Sequence, residues 1–403
     1  MQRVTILSLH TSPLAQPGVG DGGGMNVYVR ELVSALAHAG IDCTTYTRRV
    51  DATGPTEVSV EPNHKVVYVD AGDVDLPKGE LHSVVDVFTE NVLHHINKNG
   101  GTDIIHANYW LSGLAGHSLK HTLNVPLVST FHTFARVKAL GGDPESEYRE
   151  RAEAEVIGCS DAICVSCTEE ERQFVSLYGE PPGKLEIVAP GVEHAFFAPG
   201  DKRGARNALE LGNGPVLLFV GRIQPLKGVD VAVQALAQLS RPDATLIVVG
   251  GASGDDGNAE LQRVHQLIDE HGVGDQVRFV EPQPHHMLST YYRAADVVAV
   301  PSRSESFGLV ALEAAACGTP VVASAVGGLL TLVDHGRNGY LVADRQPEQF
   351  ARYINDILDN PVLANQMSYE AALRARRYTW SFAGARLRRA YADLVARDRV
   401  VCR

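Results

Sequence analysis

A chain of 403 residues with no low-complexity tract, 44% hydrophobic and 21% charged, is long enough for about two to three domains with full cores. Its net charge of −12 excludes the broad basic footprint of a general nucleic-acid binder but leaves room for a local cationic pocket. No run approaches the roughly 18 apolar residues of a membrane span, so no stable membrane insertion is expected. The apolar part of residues 1–9 is too short for a secretory signal and has no cleavage site. The protein is therefore expected in the cytoplasm, with its six cysteines as reduced thiols.

In chain order, strand-like apolar runs fall near residues 3–9, 42–47, 65–69, 103–107, 126–130 and 162–167, with helical pattern between them. The clearest helix is 25–39, where Val27, Val29, Leu32, Val33 and Leu36 recur on one face. A Pro/Gly-containing break follows at 189–204, and then the same grammar restarts. Residues 216–220 read as a strand, 221–228 as a loop and 229–239 as a helix, with further strands at 245–249, 276–280, 296–300, 320–323 and 340–342. Residues 307–317 read as a helix, and the Arg-rich stretch 374–403 as one or two final helices. Two halves that each open strand, glycine loop, helix imply an α/β protein of two Rossmann-like domains with parallel sheets facing across a cleft.

Five local patterns bear on chemistry. Gly18, Gly20 and Gly23 spell a formal G-x-G-x-x-G, but eight residues separate Leu9 from the first glycine, and the second strand ends Thr47-Arg48-Arg49 rather than on an acid. Those arginines keep an NADP-dependent dehydrogenase open as an alternative, while the spacing favours an anion cradle of backbone N–H groups. Arg222 and Lys227 stand on a short loop after a strand and suit a diphosphate, one as a planar fork and one as a point charge. Glu305 and Glu313 are about two helical turns apart around Ser306, Phe307, Gly308, Leu309 and Val310, so two carboxylates flank a helix start at a strand's carboxyl end. Asp73-Val74-Asp75 has the D-x-D form of a metal motif and reads as a loop. Cys164 and Cys167 match C-x-x-C without a second pair.

Together these residues resemble the retaining GT-B glycosyltransferases of family 4, nearly end to end. The likeness is carried by Gly-Arg-Ile-Gln-Pro-Leu-Lys-Gly at 221–228, the E-x7-E run, Cys-Gly-Thr-Pro-Val-Val-Ala at 317–323, and Tyr378-Thr379-Trp380-Ser381 with Leu387 and Tyr391. The amino half is similar to the branch that moves N-acetylglucosamine from UDP-GlcNAc to 1D-myo-inositol 3-phosphate in mycothiol biosynthesis. That likeness rests on residues 10–18, 23–28 and 108–113, on Phe131-His132-Thr133, and on Val137 with Lys138. The resemblance implies an acceptor domain at 1–194, a donor domain at 205–379, and a closing helix at about 380–403 crossing back to the first domain.

On the donor side the resemblance implies Gln16, Pro17, Gly24, Arg222, Lys227, Gln283, Glu305, Ser306, Phe307, Gly308, Leu309, Val310 and Glu313. Arg222 and Lys227 would hold the diphosphate, Glu313 the ribose, and Glu305 the sugar hydroxyls. On the acceptor side it implies His10, Asp21, Gly22, Gly23, Gly24, Met25, Asn26, Lys78, Tyr109, Thr133 and Arg149. Catalysis would rest on His132, Arg222, Lys227 and Glu305. No protein nucleophile is expected and no cofactor is required for the chemistry. A Mg²⁺ near Tyr292, Arg293, Ala295 and Thr319 would be structural. Partners are small-molecule substrates, not nucleic acid, and a homodimer is admitted. Gly22 and Gln283 depart from the family's usual residues. Another acceptor (an aminocyclitol, sugar phosphate or lipid), a UDP-sugar 2-epimerase, and a non-catalytic binder of nucleotide sugars remain as alternatives.

Overall fold

Parallel strands covered by helices on both faces have no wet side, so they run apolar without alternation. The computed structural model, which describes residues 2–239, 241–253 and 257–402, places the apolar runs in two such sheets. The chain divides into two compact units: Met1–Ala15, Met25–Pro190 and Trp380–Arg403 form one, and Gln16–Gly24 with Gly191–Thr379 form the other. The glycine-rich segment of the amino half thus clusters with the second unit.

The strands of the first unit are β1 (Arg3–Leu7), β2 (Asp42–Arg48), β3 (Glu57–Glu61), β4 (His64–Val69), β5 (Ile104–Asn108), β6 (Leu127–Thr130), β7 (Ala162–Val165) and β8 (Lys184–Ile187). They lie in the order β3-β4-β2-β1-β5-β6-β7-β8. The second unit has β9 (Val216–Val220), β10 (Thr245–Val249), β11 (Val277–Val280), β12 (Val297–Val300), β13 (Val321–Ser324) and β14 (Gly339–Val342), in the order β11-β10-β9-β12-β13-β14. The order reverses direction between β1 and β5 in one sheet and between β9 and β12 in the other. At such switch points the loops leaving neighbouring strands part, and ligands bind outside the carboxyl ends.

The first core packs Leu7, Leu9, Ile105, Leu127, Phe131 and Ile163 of the sheet side against Phe88, Val92, Leu119 and Val156 of the helices. The second packs Leu217, Phe219, Leu246, Val248 and Val297 against Val233, Val264, Phe350 and Ile354. The helix Gly24–His38 buries Val27, Val29, Leu32, Val33 and Leu36, the face its spacing predicts. The helix Trp380–Val395 belongs to the first unit. Its Trp380 ring meets Tyr28 edge-on at 5.9 Å and its Tyr391 hydroxyl bonds the ring of His106.

Several expectations need correction. The sheets are not wholly parallel: β3 runs antiparallel to β4 through a tight Pro62-Asn63 turn, with Asn63 at φ 65°. β3 and β8 are absent from the apolar runs because they are half-exposed, and their sequences, Glu-Val-Ser-Val-Glu and Lys-Leu-Glu-Ile, carry edge charges. The helix placed at 307–317 spans Leu309–Ala316, with Gly308 at φ 101° as its left-handed N-cap. Not all cysteines are reduced: Cys159 and Cys402, 243 residues apart, are joined as a disulfide. Nothing in a single sequence marks that pairing.

Candidate active site

In the second unit the loops after β9 and β12 meet. The backbone N–H of Arg303 donates to the carbonyl of Leu226 at 2.8 Å, tying 221–228 to 301–308. Gly228 lets the chains approach: it stands at φ 76°, and a Cβ there would lie 2.3 Å from the Pro301 carbonyl oxygen. The result is an ion pair, with Lys227 Nζ 2.8 Å from Glu305 Oε2 and both groups part-buried. Ser302 Oγ donates to the same carboxylate oxygen at 3.3 Å. The Gly328 N–H holds the Glu305 carbonyl at 3.0 Å, so the residue is fixed through backbone and side chain alike.

The glycine-rich loop packs against this assembly. Gln16 Nε2 donates to the Pro282 carbonyl at 2.9 Å, and the Gly18 N–H to the Gly22 carbonyl at 2.9 Å, in a loop that also carries Pro17 and Asp21. The Cβ position of Gly23 lies 3.7 Å from Arg222 Nε, and that of Gly24 lies 3.5 Å from Leu309 Cδ1. Arg222, the bare backbone at 23–24 and the start of the helix Leu309–Ala316 are therefore neighbours, as an anion cradle requires. A side chain at Gly22 would put its Cβ 2.6 Å from the Gln16 carbonyl oxygen, which accounts for glycine at this departure from the family pattern.

Glu313 is buried, with His285 Nε2 at 2.7 Å from one carboxylate oxygen and the Tyr292 hydroxyl donating to the other at 2.8 Å. Burial, and then the Glu313 charge, push the Tyr292 phenol well above its ordinary pKa, so it stays a donor. His285 was not singled out from the sequence; its loop after β11 offers no motif, and only the fold brings it to Glu313. Gln283 turns back on its own loop, its Nε2 donating to the Glu281 carbonyl at 2.9 Å. Among the residues assigned to Mg²⁺, the Thr319 hydroxyl donates to the Tyr292 carbonyl at 2.6 Å, Arg293 Nε donates to the Ala198 carbonyl, and the Ala295 N–H caps the helix Leu288–Ala294.

In the first unit, His10 after β1, Tyr109 after β5, and His132 and Thr133 after β6 converge. The His10 and Tyr109 rings lie 4.4 Å apart. Tyr109 at φ 76° and His132 at φ 62° hold left-handed backbone without being glycine, a strain concentrated where these side chains gather. His132 Nε2 pairs with Asn108 Oδ1 at 2.9 Å. Burial, helped by His106 and His10, pushes its pKa down to about 3, so near neutrality the ring is an uncharged hydrogen-bonding group. Asn26, one residue after Met25 in the first turn of its helix, donates to Thr11 Oγ1 at 2.8 Å and steadies the loop after β1.

Arg149 is buried and fully engaged. Its nitrogens reach Tyr109 Oη at 3.1 Å, Thr133 Oγ1 at 3.1 Å, Glu145 at 2.6 Å and Glu153 at 2.9 Å. Burial opposes its charge, but Tyr109, Glu153 and Glu145 outweigh that and raise its pKa. The guanidinium thus ties Tyr109 and Thr133 together. Glu145 also pairs with Lys138. Lys78 opens the turn Lys78–Val84, which reaches the cluster through ring contacts: His82 on Tyr148 at 5.2 Å, Tyr148 on Trp110 at 5.9 Å, and Trp110 on Tyr109 at 6.2 Å.

Three competing signals have structural explanations. The Arg48 guanidinium donates to the Asp73 carbonyl at 2.7 Å and Arg49 pairs with Asp70 at 2.9 Å, so both hold the following loop rather than await a nucleotide phosphate. Asp73 Oδ1 accepts from the Asp75 N–H within the same loop. Cys167 caps the helix Thr168–Tyr178, while burial pushes the Cys164 thiol up to about 12. No helix among the described residues is long and apolar enough to cross a membrane.

The pattern described as Glycosyltransferase Family 4 matches residues 22–196, and that described as Glycosyl transferases group 1 matches 201–374. The D-inositol 3-phosphate glycosyltransferase 2 of Catenulispora acidiphila is 44% identical over 411 residues, covering 98% of this chain and 95% of that protein. The D-inositol 3-phosphate glycosyltransferase of Acidothermus cellulolyticus is 43% identical, covering 99% of this chain and 92% of its own length. Among solved structures, a sucrose-phosphate synthase from Thermosynechococcus elongatus superposes with a TM-score of 0.92 at 32% identity, covering 98% of this chain and all of that one. Both units have their counterparts in full-length relatives, and the chain is a glycosyltransferase of GT-B architecture that belongs to the D-inositol 3-phosphate glycosyltransferase family.

Proposed function

We propose that this enzyme transfers N-acetylglucosamine from UDP-GlcNAc to 1D-myo-inositol 3-phosphate with retention at the anomeric carbon, as a step of mycothiol biosynthesis. The observation that carries the reading is likeness of 44% over 98% of the chain to a D-inositol 3-phosphate glycosyltransferase, which spans the donor and acceptor residues together. Support on the donor side comes from Arg222, Lys227 and the 23–24 backbone gathered at the β9/β12 switch point.

In this reading the Lys227–Glu305 pair is the resting arrangement. The donor diphosphate takes Lys227 and Arg222, and Glu305 turns to the sugar hydroxyls. The acceptor hydroxyl attacks the anomeric carbon on the face the diphosphate leaves. The new C–O bond forms as the bond to the diphosphate breaks, and the hydroxyl proton passes to a diphosphate oxygen. The protein contributes positioning and stabilisation of the departing charge. Neutral His132 orients a sugar hydroxyl. Two cations supply the leaving-group support, so no divalent metal enters the chemistry, and a Mg²⁺ beside Tyr292 and Thr319 would be structural. Turnover in a short assay that collapses on adding EDTA would refute this.

A second reading, transfer to a hexose phosphate, is favoured by the likeness to the sucrose-phosphate synthase structure. UDP release from UDP-GlcNAc is measured with 1D-myo-inositol 3-phosphate, plain inositol and fructose 6-phosphate as acceptors, and again from UDP-glucose. Release dependent on the inositol phosphate with UDP-GlcNAc is expected. Faster release with UDP-glucose and fructose 6-phosphate would transfer the assignment to the second reading.

A further inference from the structure

Away from these residues the first unit gathers two imidazoles and two sulfurs. His117 and His121 are four apart on the helix Trp110–Leu123, so their rings share a face, with centroids 5.0 Å apart. Cys159 ends the neighbouring helix Glu147–Cys159, and Cys402 follows the helix Trp380–Val395. His121 Nε2 lies 3.3 Å from Cys159 Sγ and 3.1 Å from Cys402 Sγ, and one donor atom from each of the four residues falls within 4.8 Å of the others. We propose that, with the Cys159–Cys402 disulfide reduced, these four residues form a tetrahedral site for a zinc-class divalent cation.

The spacing fits the cation. Zn–N near 2.1 Å and Zn–S near 2.3 Å put neighbouring ligand atoms of a tetrahedron about 3.6 Å apart, so small rotamer changes complete the shell. The surroundings fit as well. Glu155 Oε1 lies 2.9 Å from His117 Nδ1, which leaves Nε2 for the metal and supplies the carboxylate that commonly orients a ligating imidazole.

The scaffold is built independently of the sulfurs. A Cβ on Gly113 would fall 2.8 Å from Val156 Cγ1, so glycine allows the close helix approach that brings the histidines to Cys159. Lys120 Nζ donates to the Cys159 carbonyl at 2.6 Å and the Val400 carbonyl at 3.1 Å, and pairs with buried Asp161 at 2.9 Å. Asp161 in turn accepts the Val400 N–H at 2.6 Å. Residue 402 is thereby carried to the site. A dithiol reduces the disulfide to two thiols, itself becoming a disulfide, and the metal then displaces both thiol protons. The bound cation would clamp the 396–402 segment to two helices.

The test uses the full chain, reduced with a phosphine, freed of metal and titrated with Co²⁺ without air. One equivalent should bind with thiolate-to-cobalt charge-transfer bands and the intense visible bands of tetrahedral cobalt, and Zn²⁺ should displace it. Cys402→Ser should lose most of the charge-transfer intensity, and Glu155→Gln should weaken binding by roughly 10–100-fold. If Cys402→Ser fails to fold, the wild-type spectrum and the Glu155→Gln shift still decide. A reduced wild-type chain that leaves cobalt with its aqueous spectrum overturns the proposal and leaves the cysteines as a disulfide only.

Discussion

Lys227 neutralises Glu305 at 2.8 Å, so removing either partner exposes the other. Arg222→Ala and Lys227→Ala are each expected to lower kcat by roughly 10²–10³, the scale for losing one oxyanion donor. Steady-state UDP release measures this, and near-normal turnover in either variant removes that residue from leaving-group support. Arg149 makes a different kind of contribution. Its partner Glu153 is wholly buried and, among the described residues, otherwise receives the Ala135 N–H and the Tyr178 hydroxyl. Arg149→Met should therefore destabilise the protein by about 3 kcal/mol, as when one member of a buried ion pair is removed. It should also raise the acceptor KM, because Tyr109 and Thr133 lose their common anchor. Denaturant unfolding reads the first effect and acceptor titration the second. A variant as stable as wild type would mean that Glu153 is not held by this contact.

At the scale of elements, the site depends on how closely two loops approach. Gly228 combines a left-handed φ of 76° with a virtual Cβ 2.3 Å from the Pro301 oxygen. Gly228→Ala should cost at least about 2 kcal/mol from backbone conformation and displaced contacts. It should also weaken donor binding, because Lys227 precedes it directly. Thermal unfolding and a UDP titration check both effects, and unchanged UDP affinity would show that the loops tolerate separation. The glycine itself was legible in the run 221–228, as were the strand before it and the helix after it. Its contact was not, because Pro301 lies more than seventy residues away and only the β9/β12 pairing brings it near. For the same reason E-x7-E could be recognised while His285, which bonds Glu313, could not.

For the molecule as a whole, buried titratable groups set the response to pH. Burial pushes His106 down to about 3 and Glu170 up to about 7. Below about pH 6.5 the unfolded chain protonates His106 while the folded chain does not, so stability falls as pH falls toward 3. Glu170 acts oppositely, since the folded chain takes its proton near 7 and the unfolded chain only near 4.5, which favours folding as pH drops through that window. The two effects nearly cancel between pH 6.5 and 4.5. Below that, His106 costs about 1.4 kcal/mol per pH unit without the Glu170 offset, and His132, also lowered to about 3, acts in the same direction from pH 6.5 downward. Glu170→Gln should remove the cancellation and steepen the loss between pH 6.5 and 4.5 by about 1.4 kcal/mol per unit. Urea unfolding across that range tests it, and identical slopes in the two proteins would place Glu170 at an ordinary pKa.

What the sequence by itself determined were the features carried by local pattern. Continuous apolar runs marked the buried parallel strands, the 3.6-residue period marked the helix from Gly24 to His38, and the cation loop and E-x7-E run carried the likeness to the GT-B glycosyltransferases. These survive because parallel-sheet burial and loop chemistry are written in neighbouring residues. Only the tertiary structure decided the partners of the charges singled out: Arg149 bonds the Tyr109 hydroxyl and Glu313 bonds His285, each from another segment of the chain. It also decided that residues 16–24 cluster with the second unit, that β3 and β8 cover the sheet edges, and that His117, His121, Cys159 and Cys402 share one place. Apart from the β3/β4 hairpin, each depends on contacts between segments tens to hundreds of residues apart, and no periodicity or motif within one segment records them.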